Sequence, residues 1–270
     1  MSRIDLTPLA NQYILDFAGA KVRVPYWVNS QQLMAAVVEK WIIGPYKGKG
    51  TPAQIKRVVE QRLRTRPKSL QTETAYREYM RSIGLGADCS AFVYHVLDGF
   101  LRRHYHQRLM NLLVIDKADV LQVYDAKDSW QKKANRSQIE RQPDVISLAW
   151  LHQNIGKNPR MITNVARLVD PHVVQQISTA GEIQAGDLIK MTSQQFGDHI
   201  AVVVRVEDQR IVAAEMIEPE NDLGGLVYNT ITITDPQQGL EVQKWQHRRS
   251  FHPGQGNDGV YRLQYAIKAE

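Results

Sequence analysis

Apolar residues recur at helical spacing through the first part of the chain and give way to strand-like runs from residue 186 onward. Leu33, Ala36, Val37 and Trp41 define a helix over 31–43, which Gly44-Pro45 breaks before a loop, Tyr46-Lys47-Gly48-Lys49-Gly50. Thr51 then caps a helix over 52–64, with Pro52 at its first position, Gln54 completing a capping box, and Ile55, Val58, Val59 and Leu63 as its buried stripe. A further helix over 73–83 stops at Gly84. The best-defined helix spans 89–110, where Val93, Val96, Leu97, Phe100 and Leu101 follow the i, i+3, i+4 pattern. Near the N-terminus Val22, Val24, Tyr26 and Val28 alternate with Arg23, Pro25 and Trp27, as in a strand or an extended arm. Residues 111–180 are polar and helix-prone, with 145–151 reading as a buried helical segment. Runs at 186–191, 199–206, 211–217, 226–234 and 259–267 read as strands. Helices first and strands after, with few alternations, indicate an α+β fold with an antiparallel sheet.

Composition narrows this picture. A chain of 270 residues with 43% hydrophobic positions can bury a substantial core, as one large domain or one domain with an appendage. No run of eighteen apolar residues is present, so no membrane span is expected. The N-terminus lacks a basic stretch followed by an apolar core, so no secretory signal is visible; a cytoplasmic location, export by a non-standard route and a trimmed chain all fit. The net charge of +6 is spread over helical segments without an aromatic-interleaved patch, and no nucleic-acid partner is expected. The single cysteine, Cys89, makes no internal disulfide. The glycine-lysine loop at 46–50 lacks the spacing of a phosphate-binding loop, and local helix capping accounts for it better. His104-Tyr105-His106 has no acidic partner nearby and reads as helix surface, so neither metal nor cofactor is expected.

The candidate chemistry centres on Cys89. In Gly84-Leu85-Gly86-Ala87-Asp88-Cys89-Ser90-Ala91-Phe92, two glycines mark a turn, and Asp88 can cap a helix whose first residue is Cys89. A thiol there meets unpaired backbone N–H groups and the positive end of the helix dipole, both of which favour thiolate. Acyl transfer also needs a base that returns its proton to the leaving group, which a histidine supplies. His199 opens the run His199-Ile200-Ala201-Val202-Val203-Val204, downstream of Gly186-Asp187-Leu188. If the following hairpin closes with Val206 opposite Arg210, Ala201 faces Glu215, and His199 and Glu215 become diagonal neighbours on one face. A one-residue change in that turn puts them on opposite faces. A buried thiol and a strand-start histidine bonded to backbone are the ordinary alternatives for these residues.

Asp88-Cys89-Ser90-Ala91-Phe92-Val93, then Gly186-Asp187-Leu188, then His199-Ile200-Ala201-Val202-Val203 resembles the NlpC type of papain-like cell-wall cysteine peptidase and is similar to the related CHAP amidases and peptidases. The order cysteine then histidine fits the unpermuted members, and the likeness covers about 80–220 with a long insertion. It implies a papain-like (NlpC/CHAP-type) core, helices on a small antiparallel sheet. An N-terminal helical extension, 1–70, would precede a papain-like domain, 71–270, with a helical insertion at about 111–180. It also implies Cys89 as nucleophile, His199 as base and Glu215, where CHAP domains place a glutamate, as the third member. The activity it implies is amide-bond cleavage in peptidoglycan peptides through a thioester. Departures are Ile217 where CHAP domains carry asparagine, Ala91 where the family has glycine, and Tyr76 and Tyr79 as the only counterparts of an oxyanion-holding tyrosine. Two other readings are a catalytically inactive binding module of the same fold, and an intracellular or effector amide hydrolase.

Overall fold

The computed structural model describes residues 4–27, 43–65, 69–124, 130–156, 163–193, 197–217, 224–247, 251–253 and 257–264. The helix expected over 31–43 lies almost wholly outside them. The chain opens with α1 (Thr7–Ala10) and the hairpin β1 (Ile14–Phe17)–β2 (Ala20–Arg23). Next come α2 (Ile43–Tyr46), α3 (Pro52–Thr65), α4 (Glu73–Ser82) and α5 (Cys89–Tyr105). The middle of the chain holds β3 (Val114–Asp116), α6 (Lys117–Tyr124), α7 (Trp130–Glu140), β4 (Val145–Ser147) and α8 (Leu148–Ile155). The strand-rich part contains β5 (Val174–Ile177), β6 (Leu188–Ser193), β7 (Gly197–Glu207), β8 (Arg210–Ile217), β9 (Gly225–Thr232), β10 (Lys244–Trp245) and β11 (Gly259–Leu263).

Side-chain caps set the helix starts. Thr51 and Gln54 exchange their bonds (Thr51 N–H to Gln54 Oε1, 2.9 Å; Gln54 N–H to Thr51 Oγ1, 3.1 Å) and open α3. Thr72 accepts from Ala75 N–H at α4, and Asp88 accepts from Ala91 N–H at α5. α5 ends at Tyr105, short of the expected 110, because His106 turns left-handed (φ 54°) and the buried Asp98 carboxylate accepts from Leu109 N–H, folding the chain back. The expected helix at 145–151 also divides. The β-branched Val145 and Ile146 pair with β3, and Ser147 caps α8 by accepting from Trp150 N–H.

Strands β5–β11 form one seven-stranded antiparallel sheet in the order β10-β9-β8-β7-β6-β11-β5. Alternation places Ile200, Val202, Val204 and Ala214 in the cluster that contains α5, and Ala201, Val203, Ile211 and Ala213 in a second cluster with Leu240 and Phe251. Both faces are therefore covered, which is why β7 reads as an unbroken apolar run. The α5 cluster also takes in Val22 from the first hairpin and Tyr13 and Val24 from its flanks, Ile55 and Val59 from α3, and Leu113, Ile146 and Leu148 from the middle of the chain.

The turn between β6 and the preceding loop explains Gly186-Asp187-Leu188. Gly186 has φ +96°, and a Cβ there would sit 3.0 Å from the Phe100 ring of α5. Asp187, 1% exposed, takes a two-pronged bond from Arg262 of β11 at 2.8 and 2.8 Å and also accepts from Gln184 N–H. Burial raises the Asp187 pKa and Arg262 opposes that rise, so this pair joins β6 to its non-sequential neighbour.

Candidate active site

Gly84–Asp88 is held from two sides before it enters α5. Ala87 N–H donates to Pro25 O at 3.1 Å, and Trp27 N–H donates to Ala87 O at 3.1 Å. On the other side Asp88 N–H donates to Gly48 O at 2.8 Å, in the 46–50 loop. Gly86 must be glycine, since a Cβ would lie 2.6 Å from Pro25 O and 2.5 Å from Trp27 Cβ. These contacts set the direction in which α5 starts, and with it the position of Cys89.

Cys89 is buried at 6% exposure. Its thiol is a hydrogen-bond partner of the His199 imidazole. His199 Nε2–H donates to Glu215 Oε2 at 2.8 Å, and Glu215 is 1% exposed. With Nε2 taken by the carboxylate, Nδ1 is the ring nitrogen left for the thiol. The three residues named from the sequence thus stand in one line, Cys89–His199–Glu215, reached from α5, β7 and β8. Burial alone would pull the His199 pKa down. Hydrogen bonds to Cys89 and Glu215, then their charges, outweigh it and push the value up from 6.5 to about 10.

The Glu215 position depends on an irregularity. Glu207 pairs with Arg210 and Val206 with Ile211, one step from the expected turn, which by itself would put His199 and Glu215 on opposite faces. A bulge between Val203 and Arg205 adds one residue to β7 and restores Ala201 opposite Glu215.

Sequence reasoning missed a charged cluster beside the helix start. Lys49 Nζ lies 2.7 Å from Asp88 Oδ2, 2.5 Å from Ser90 Oγ and 2.8 Å from Thr163 O. The Ser90 hydroxyl donates in turn to Asp88 Oδ1 at 2.9 Å. The glycine-lysine loop was the available signal, and its lysine turns inward to a carboxylate rather than outward to a phosphate. Gly48, at φ +70°, lies against the Trp27 carbonyl, where a Cβ would collide. Tyr76 stacks on Phe17 with ring centroids 4.7 Å apart, and Tyr79 is buried in α4. His247 and His252 are exposed. Among the described residues, no group of three or more His, Cys, Asp or Glu side chains is arranged to hold a metal ion, and no helix is long and apolar enough to cross a membrane.

The family model described as "Putative amidase domain" matches residues 60–222, more than half of the chain, and the chain belongs to that family. Membership in it indicates a hydrolase of amide bonds. Cys89, His199 and Glu215 all fall inside the matched span, whereas Lys49 and β11 fall outside it. No curated protein and no solved structure matches the chain.

Proposed function

We propose that the chain is a cysteine-dependent amide hydrolase with Cys89 as nucleophile, His199 as proton carrier and Glu215 as the group that orients the imidazole. The single observation that carries this reading is the hydrogen-bonded line from thiol to imidazole to buried carboxylate. The Cys89 sulfur attacks the amide carbon, and the carbonyl electron pair moves onto oxygen. The first turn of α5 offers backbone N–H groups without helical acceptors, that of Cys89 among them, to meet the developing oxyanion. As the C–N bond breaks, the His199 imidazolium gives its proton to the departing amine and leaves a thioester. His199 then takes a proton from water, whose oxygen attacks the thioester and releases the acid and the thiol. Glu215 serves both steps by holding Nε2–H, so that Nδ1 faces the sulfur.

The same order of elements, a cysteine at a helix start followed by a histidine on a strand of an antiparallel sheet, supports a papain-like core. Its likeness to NlpC-type enzymes supports peptide amide bonds of peptidoglycan as the substrate. Digestion of purified peptidoglycan, read by mass spectrometry, tests this. Wild-type protein should release fragments that Cys89→Ala does not, while identical fragments from both overturn the reading.

A further inference from the structure

The nucleophile has a carboxylate as its immediate neighbour in the chain. Asp88 caps α5 through its bond to Ala91 N–H (2.7 Å), and that role requires an acceptor at this position. A negative charge one residue from the sulfur opposes a second negative charge on it. Asparagine, serine or threonine would cap the helix without that opposition. The structure shows how the conflict is met. The Lys49 ammonium sits on the far oxygen of Asp88, with its side chain only 13% exposed and that of Asp88 16% exposed. It also donates to the Ser90 hydroxyl and the Thr163 carbonyl. At this degree of burial the pair is screened little by solvent ions.

We infer that Lys49 is a positioning residue for the proposed reaction, acting through Asp88: it cancels the charge of the helix-capping carboxylate next to Cys89 and so keeps the Cys89 sulfur reactive. The inference rests on the reading of Cys89 as nucleophile. Lys49 reaches the site from outside the span shared with the amidase family. It also joins three parts of the chain, the 46–50 loop, the start of α5 and the segment entering at Thr163. The N-terminal region thereby contributes to the chemistry as well as to the core.

Iodoacetamide alkylation of Cys89 at pH 7, followed by intact mass in wild type, Lys49→Met, Asp88→Asn and the double variant, separates charge from packing. The charge account expects Lys49→Met to react about tenfold more slowly, because Asp88 is left uncompensated. It expects Asp88→Asn, which keeps a capping side chain and the lysine, to react at least as fast as wild type. The double variant should recover most of the rate lost in Lys49→Met. A purely structural strut predicts the opposite order, with Asp88→Asn slowed like Lys49→Met and the double variant slowest; that order, or an undiminished rate in Lys49→Met, overturns the inference. Should Lys49→Met fail to fold, the comparison of Asp88→Asn with wild type decides alone, and a tenfold loss there counts against the inference. Failure of the underlying reading looks different: wild-type Cys89 would then alkylate no faster than the unfolded chain.

Discussion

At the level of single residues, the account rests on His199 holding a proton between two acidic partners. Its pKa, raised from 6.5 to about 10, gives a sign for stability. Below about pH 6.5 imidazole is charged in folded and unfolded chains alike, and the stabilising contribution is complete. Between 6.5 and about 10 only the folded chain keeps the proton, and the contribution drains away as pH rises. Thermal unfolding of wild type should therefore fall in midpoint across that interval, and His199→Gln should flatten the fall. The proposed mechanism makes the pH dependence of catalysis follow the same group. Glu215→Gln removes one of the charges that raise His199, so the alkaline limb of kcat/KM should move to lower pH. His199→Ala, which removes the proposed proton carrier, should lower kcat by roughly 10²–10⁴-fold. An unmoved alkaline limb in Glu215→Gln would detach the carboxylate from the mechanism.

At the level of elements, the decisive feature is the β7–β8 ladder. The sequence predicted both strands within two residues at each end, because alternating and continuous apolar runs leave little choice. It also placed Ala201 opposite Glu215, but through a turn that does not form. The real turn and the bulge between Val203 and Arg205 are each off by one residue and in compensating directions. Turn type and bulge position depend on cross-strand packing, here on the need to keep Val203 and Val204 in clusters on opposite faces, and a single strand does not display that. Similar reasons hide the division of 145–151, where pairing with β3 outweighs a helical pattern. The Asp187–Arg262 pair was equally unreadable, since its members are 75 residues apart and β11 inserts between β6 and β5. Arg262→Met leaves the Asp187 carboxylate buried without its partner. Urea unfolding should show a loss of about 3–5 kcal/mol. A loss under ~1 kcal/mol would mean that the pair does not fasten β11.

At the scale of the whole molecule, the family match and the folded unit do not coincide. Residues 60–222 hold the Cys–His–Glu line, yet β9, β10 and β11 lie beyond 222 and Lys49 and the Pro25–Trp27 clamp lie before 60. β11 supplies both neighbours' pairing between β6 and β5, and β9 covers the open edge of β8. A fragment limited to 60–222 should therefore lack a cooperative thermal transition and a dispersed amide spectrum, whereas the full chain shows both. A folded fragment would contradict the sheet order as the source of stability. The order of secondary structure and the setting of Cys89 at a helix start were legible from local signals: caps, glycine turns and apolar period. What the N-terminal region does was not, because Lys49 meets Asp88 and Thr163 only through tertiary folding.

The central claim, that Cys89 is a nucleophile made ready by His199, is tested most directly by its rate of alkylation with iodoacetamide at pH 6. The folded wild type should react faster than the urea-unfolded chain, and His199→Ala should remove that advantage. Equal rates in folded and unfolded wild type would contradict the claim.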